Sequence, residues 1–65
     1  MYKNKIKKYR IKKGLTLKEL ADKSGISTGY LCHLEKGSRY NPSTEVMENI
    51  ASALDKSIPE IFFSN

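Results

Sequence analysis

The sequence predicts an all-α fold of five short helices, and three observations indicate it. Apolar residues recur at intervals of three and four between Met47 and Leu54, as on one face of a helix. Two capping boxes, TLKE at Thr16–Glu19 and SIPE at Ser57–Glu60, mark the starts of two helices. Glycines follow the apolar stripes at points where helices would end. We expect helices at about residues 3–13, 17–24, 28–36, 43–54 and 58–63, in a single domain that spans residues 1–65.

The composition points to a small basic protein. Residues 1–36 contain ten Lys and Arg against three Asp and Glu, whereas residues 37–65 contain two against four. The formal net charge is +5 and the pI is about 9.5, which is typical of domains that bind nucleic acids. The sequence has one cysteine and no apolar run of about 20 residues. We therefore expect a soluble cytoplasmic protein without disulfides and without a membrane partner.

The first predicted helix is cationic and carries a narrow apolar stripe. Tyr2, Ile6 and Tyr9 fall at helical spacing, and the first 13 residues contain seven Lys and Arg and no acid. These basic residues either attract phosphate or simply keep one face of the helix solvated. Gly14 then ends the helix at a position that favours a left-handed conformation.

Residues 17–36 have the pattern of two helices joined by a tight turn. Leu20 and Ala21 give the first of these helices an apolar strip, and the small alanine lets another helix cross closely. Gly25 lies where the chain must reverse, because glycine adopts a positive φ without a Cβ clash. Leu31 and Leu34 return the second of these helices to the core. A helix-turn-helix formed by helices 2 and 3 accounts for this pattern.

The outward face of the third predicted helix carries mostly short side chains. Thr28, Gly29, Cys32 and His33 lie opposite its inward-facing leucines. A face of this kind lets a helix backbone approach base edges closely in the major groove. Thr28 can offer a hydroxyl or a methyl group to a base, and His33 can donate a hydrogen bond to guanine. Gly29 permits close approach, although glycine lowers the stability of a helix by up to about 1 kcal/mol. We expect these four residues to read bases.

The sequence contains no pattern of a metal site or of an active site. Cys32 and His33 are adjacent, so their side chains diverge by about 100° on a helix. No other Cys or His is available to complete a set of ligands. A lone histidine cannot form a catalytic constellation. We therefore expect no metal, no cofactor, no small-molecule ligand and no enzymatic activity.

Residues 20–37 resemble XRE-type DNA-binding domains, the lambda-repressor and Cro family. The resemblance lies in the small Ala21, the turn glycine Gly25, the leucines around them and the ending LEKG at Leu34–Gly37. The resemblance extends to Arg10 and to GLT at residues 14–16 before this stretch. It continues after it in NPS at residues 41–43 and IPEIF at residues 58–62. It implies a five-helix, lambda-repressor-like domain that binds double-stranded DNA.

The resemblance further implies one structural ion pair and a set of contacts with the DNA backbone. Arg10 would pair with Glu35 and so connect helix 1 to helix 3, the recognition helix that enters the DNA groove in this family. The alternative is that Arg10 is exposed and unpaired. The segment after the recognition helix follows the DNA backbone in the family, and the alternative is an ordinary polar loop. Capped helix starts also offer amide groups to phosphate. The candidate phosphate contacts are Thr16, Lys18, Ser27, Tyr30, Lys36, Arg39, Tyr40 and Asn41.

Leu17 departs from the family pattern. A glutamine that contacts the DNA backbone is common at this position, and leucine cannot make that contact. Leu17 is then either a packing residue or an additional surface contact. This departure favours an alternative function, a protein-interaction adaptor or an antitoxin-like partner that keeps the same fold.

The favoured interpretation is a sequence-specific DNA-binding transcriptional regulator. A module this small offers a limited interface, so we expect a homodimer on a palindromic operator with half-sites about 34 Å apart. Repression by exclusion of polymerase is the default, while activation and control by a protein partner are left open. An exposed pair of phenylalanines invites burial, which makes the last helix the candidate dimer surface, although Phe62 could instead belong to the core. The candidate dimer contacts are Ile58, Ile61, Phe62 and Phe63.

Overall fold

The computed structural model describes residues 4–37 and 42–63, and within these ranges the chain forms five helices and no strand. The all-α, five-helix prediction is therefore confirmed. The last helix is a single short segment with π-helical hydrogen bonding. The helices are α1 (Ile6–Lys12), α2 (Leu17–Ser24), α3 (Thr28–Glu35), α4 (Thr44–Leu54) and α5 (Pro59–Phe63).

Side-chain caps begin α2, α3 and α4, and the cap of α2 is the capping box that the sequence indicates. Thr16 Oγ1 accepts a hydrogen bond from Glu19 N at 3.1 Å, and Glu19 Oε1 accepts one from Thr16 N at 2.7 Å. This reciprocal pair satisfies two amide groups that a helix start would leave without partners. Ser27 and Ser43 cap α3 and α4 through their hydroxyl oxygens. Each of these helices is thus fixed at its first turn.

Two helix ends show how the chain reverses. Gly25 has φ +71°, and Ile26 N donates to Ala21 O at 3.1 Å, which closes a Schellman turn after α2. The end of α4 uses Asp55 in the same left-handed conformation, at φ +57°. Its carboxylate pairs with the Lys13 ammonium, and this hydrogen bond holds the pKa of Asp55 below its ordinary value of 3.8. The charge of Asp55 therefore ties the end of α4 to the end of α1.

A single apolar core joins the five helices. α2 packs against α4, and its buried side chains include the small residues Ala21 and Ser24. Leu17 is half-buried and packs against the same core, in agreement with the alternative that it is a packing residue. The buried apolar residues are Ile6, Leu20, Ala21, Leu31, Leu34, Ile50, Ala51, Leu54, Ile61 and Phe62.

The burial of α5 corrects part of the predicted dimer surface. Ile61 is 0% exposed and Phe62 is 4% exposed, so both belong to the core of the chain. Phe63 is 64% exposed and Ile58 is half-buried. Ile61 and Phe62 therefore offer little surface to a second copy, and the burial of Phe62 agrees with the alternative that this residue belongs to the core. A helix of five residues is too short to show in its sequence which side faces inward.

The first helix begins later than the sequence predicts. We expected its start near residue 3, but α1 begins at Ile6. Asn4 Oδ1 accepts a hydrogen bond from Ile6 N at 3.0 Å, and Lys5 N donates to Ile61 O at 2.8 Å. These two bonds hold residues 4 and 5 outside the helix. Tyr2, which we assigned to the apolar stripe, lies outside the described residues.

None of the helices in the described ranges has the length and apolar character that crossing a membrane requires.

Candidate nucleic-acid interface

The inward face of α3 holds this helix against the core. Leu31 and Leu34 are buried, and α3 packs on α2 and α1. The opposite face points to solvent, where Thr28, Gly29 and His33 are exposed. Lys36, which directly follows the helix, is also exposed, whereas Cys32 is only partly accessible. The four predicted base-reading residues therefore share one accessible side of the helix.

The outward side of α3 carries no carboxylate of its own. The acid of this helix is Glu35, whose side chain is 8% exposed and bound to Arg10. Arg10 Nε donates to Glu35 Oε2 at 2.7 Å, and Nη2 donates to Glu35 Oε1 at 3.3 Å. This bidentate geometry is the strong form of an arginine–carboxylate interaction. The outward side of α3 thus presents no negative side chain to a polyanion.

Arg10 also bonds to the segment between α1 and α2. Its Nη1 donates to Leu15 O at 2.9 Å, while Leu15 N donates to Arg10 O at 3.1 Å. One guanidinium therefore connects α1, the start of the helix-turn-helix and the end of α3. Losing one partner of such a partly buried pair would leave the other charge without compensation.

Gly29 lies in the middle of the outward face, and neither its backbone conformation nor its neighbours require a glycine there. A Cβ atom built at Gly29 would meet no atom within 4 Å, and its φ is not positive. Glycine within a helix lowers stability by roughly 0.5–1 kcal/mol relative to alanine. The advantage of glycine at this position therefore does not come from packing inside the protomer.

The starts of α2 and α3 offer donors for phosphate. Thr16 and Ser27 are exposed, and each uses a hydroxyl lone pair as acceptor for a helix amide. A hydroxyl that accepts in this way still carries its own hydrogen, which it can donate to an outside oxygen. The first turn of α3 contains no acidic residue, so its positive end is not neutralised by a local carboxylate.

The remaining predicted phosphate contacts differ in how they are placed. Lys18 pairs with Asp22 at 3.1 Å, but both side chains are strongly exposed, so the pair is weak and can yield to a phosphate. Tyr30 is half-buried and packs against the core. Arg39, Tyr40 and Asn41 lie outside the described residues.

Asn4 is a residue of this region that sequence reasoning missed. Its Nδ2 donates to Leu34 O at 2.7 Å, so the N-terminal end of α1 holds the C-terminal end of α3. An asparagine two residues before a helix start is a local signal for a capping turn. The contact with residue 34 has no local signal, because it joins residues that are 30 positions apart.

The helix-turn-helix family model matches residues 6–61, which is most of the chain. The chain belongs to the XRE-type helix-turn-helix family. Membership confirms the resemblance that the sequence indicates and its lambda-repressor-like fold. Of the two relatives described next, SinR is named as a transcriptional regulator and C.AhdI as a restriction-modification controller, in agreement with the expectation that this XRE-type chain is not an enzyme.

SinR of Bacillus subtilis, an HTH-type transcriptional regulator, is 41% identical over 54 residues, which are 83% of this chain and 49% of SinR. The chain thus spans about half the length of that curated relative. A crystal structure of SinR, master regulator for biofilm formation, in complex with DNA superposes with a TM-score of 0.77 at 42% identity. The match covers 82% of this chain and 84% of that chain. The restriction-modification controller C.AhdI from Aeromonas hydrophila gives a TM-score of 0.78 at 34% identity, covering 85% and 82%.

Replacing Arg10 tests the anchoring of α3. We predict that Arg10→Met lowers the free energy of unfolding by about 3–5 kcal/mol, because Glu35 is then left buried without its partner. Lys7→Met, an exposed position on the same helix, should change it by less than about 0.5 kcal/mol. Thermal melts of the two variants provide the measurement. Equal melting temperatures would show that the ion pair does not hold the fold together.

Proposed function

We propose that this XRE-type chain is a sequence-specific DNA-binding transcriptional regulator that reads duplex DNA with the outward face of α3. One observation carries the proposal: α3 presents a solvent-facing side with short side chains and without a carboxylate, at the end of the basic half of the chain. A helix needs such a side to enter the major groove and approach base edges. The SinR structure with DNA supports the proposal, since that protein shares the fold and 42% of the aligned residues.

Affinity and discrimination come from different groups in this proposal. The basic residues and the capped starts of α2 and α3 attract phosphate and fix the register of the protein on the duplex. Thr28 and His33 reach base edges, with Gly29 and Cys32 between them at close range. Thr16, Lys18, Ser27, Tyr30 and Lys36, with Arg39, Tyr40 and Asn41 from the following segment, remain the proposed phosphate contacts.

We further propose repression on a palindromic operator. A protein bound in the major groove of a promoter excludes polymerase from the same DNA, so repression needs no additional activity. A single small module buries only about 600–1,000 Å² against DNA, which favours two copies on two half-sites. Twofold symmetry of the protein then requires a palindromic site with half-sites about 34 Å apart.

The proposed homodimer uses the accessible part of α5. Phe63 is a large apolar side chain with 64% of its surface exposed, and the half-buried Ile58 lies at the start of the same segment. Exposed aromatic surface of this kind favours burial against a second copy. Ile61 and Phe62 are buried in the core, and they hold α5 in the position from which Phe63 is exposed.

The position of Leu17 no longer favours the adaptor function. Leu17 packs against the core of the protomer, so its departure from the family pattern has a structural explanation within this chain. Protein interaction without DNA binding is therefore an outcome of the test below and not a second proposal.

DNA binding is tested by titrating the protein with random-sequence duplex at increasing salt. We expect affinity to fall steeply, with a linear relation between the logarithms of the binding constant and the salt concentration. Thr28→Ala or His33→Ala should then change the preferred operator by roughly 1–3 kcal/mol at one base step. Asn49→Ala, an exposed position on α4, is the matched control and should keep the parent preference. Binding that does not respond to salt would indicate the adaptor function instead.

Gly29 separates stability from DNA binding. We predict that Gly29→Ala raises the free energy of unfolding by roughly 0.5–1 kcal/mol, because alanine is the better helix former and its Cβ meets no neighbour. The same variant should bind the selected operator about tenfold more weakly, since the methyl group blocks close approach. Gly25→Ala, at a positive φ, should lower stability instead. A stabilised Gly29→Ala that binds the operator normally would remove Gly29 from the interface.

Phe63 tests the proposed homodimer. Phe63→Ser should weaken self-association without unfolding the protomer, because the side chain is exposed. Ile11→Ser removes the other large exposed apolar side chain of the described residues, 57% exposed, and should leave self-association unchanged. Sedimentation equilibrium measures both. If the parent is monomeric at all accessible concentrations, or if both variants behave alike, α5 is not the dimer surface.

A further inference from the structure

We propose that Asn4 is a positioning residue for DNA recognition, because its carboxamide seats the C-terminal end of α3. The inference rests on the proposed function and adds to it a residue outside the helix-turn-helix. Asn4 does not touch DNA in this proposal. It acts through Leu34 and so sets the orientation of the helix that reads bases.

The geometry of Asn4 joins two elements through one side chain. Its Nδ2 donates to Leu34 O at 2.7 Å, and its Oδ1 accepts from Ile6 N at 3.0 Å. Both bonds are partly buried, so water competes with them less than at an open surface. The same group thereby gives the first amide of α1 its acceptor and adds a second donor to Leu34 O, one of the last carbonyls of α3.

The chemistry of these two bonds requires a carboxamide. Ile6 N is a donor and needs an oxygen, whereas Leu34 O is an acceptor and needs an N–H group. An asparagine side chain offers both from one planar amide. Aspartate can accept from Ile6 N but has no hydrogen for Leu34 O when ionised. Serine can also accept from Ile6 N, but its shorter side chain does not span the distance to both partners.

The backbone around Asn4 is itself fixed. Lys5 N donates to Ile61 O at 2.8 Å, so the next residue is bound to α5. Because α5 is anchored in the core through Ile61 and Phe62, the carboxamide of Asn4 is presented from a rigid position. A rigid donor restrains its acceptor more closely than a donor on a mobile segment does.

Two clamps therefore act on neighbouring residues of α3. Asn4 holds the backbone carbonyl of Leu34, and Arg10 holds the side chain of Glu35. Leu34 O also accepts from Gly37 N at 3.1 Å, where the chain leaves the helix toward the next segment. The ion pair fixes the side of α3 that faces α1, and the carboxamide fixes the position of its end. Loss of the carboxamide would leave α3 folded but less well placed.

Poor placement of α3 affects base reading more than phosphate attraction. Hydrogen bonds to base edges require donor and acceptor within a few tenths of an ångström of their ideal separation. Attraction between basic side chains and phosphates acts over longer distances and tolerates small movements. A change at Asn4 should therefore reduce discrimination between operators while leaving nonspecific binding intact.

The test compares Asn4→Ser with the parent protein on three duplexes: the operator selected from a random pool, the same operator with one base pair changed, and a random duplex. We expect the affinity ratio between the first two to fall about tenfold, with affinity for the random duplex within about twofold. Hydrogen exchange at the Gly37 amide should become faster, because its acceptor is no longer held. Asn4→Asp keeps the bond to Ile6 N and provides a second variant, in which added negative charge weakens all duplexes but the ratio still falls.

Ile50→Val is the matched control for stability alone. It removes one methylene from the buried core on α4 and leaves both hydrogen bonds of Asn4 in place, so it should lower the melting temperature while keeping the operator ratio. If Asn4→Ser lowers the melting temperature but keeps the parent ratio and the parent exchange rate at Gly37, the positioning role is wrong. Failure of the parent protein itself to bind DNA would instead overturn the proposed function, which the same experiment registers separately.

Discussion

The ion pair between Arg10 and Glu35 is the contact on which the arrangement of the helices depends. It brings the acid of α3 inward, where the guanidinium compensates its charge through two hydrogen bonds. A third bond from the same guanidinium fixes Leu15, at the entrance to the helix-turn-helix. The pair therefore has two consequences at once. It joins α1 to α3, and it removes negative charge from the side of α3 that a polyanion would approach.

The small size of the protein explains why local bonds at helix ends are so prominent. A chain of this length buries only about 60% of the surface that it exposes when unfolded. The apolar core alone therefore gives only a small free energy of unfolding. Caps at Thr16, Ser27 and Ser43 satisfy amides at three helix starts. The last helix adds Ile61 and Phe62 to the core. Burying them contributes to the stability of the protomer and leaves Phe63 as the apolar residue of α5 that another molecule could reach.

The sequence predicted those parts of the structure that have local causes. The caps, the reversal at Gly25 and the inward leucines of α3 all follow from neighbouring residues, and the structure contains them. The start of α1 could not be predicted, because Lys5 is held outside the helix by a bond to the distant Ile61. The burial of Phe62 was one of two alternatives, because a helix of five residues does not show in its sequence which side faces inward. Asn4 illustrates the limit: its capping bond has a local pattern, whereas its bond to Leu34 has none. The residues of the Arg10–Glu35 pair are 25 positions apart, and this pair was expected only through the family resemblance.

Nuclear magnetic resonance can show whether the outward side of α3 lies against DNA bases. The measurement is the change in each backbone amide signal of the isotope-labelled protein as the selected operator duplex is added. This contact requires the largest changes at residues 28–33 and at the starts of α2 and α3, with little change along α4. Large changes on α4 or on the exposed face of α1, with the signals of α3 unmoved, would contradict it.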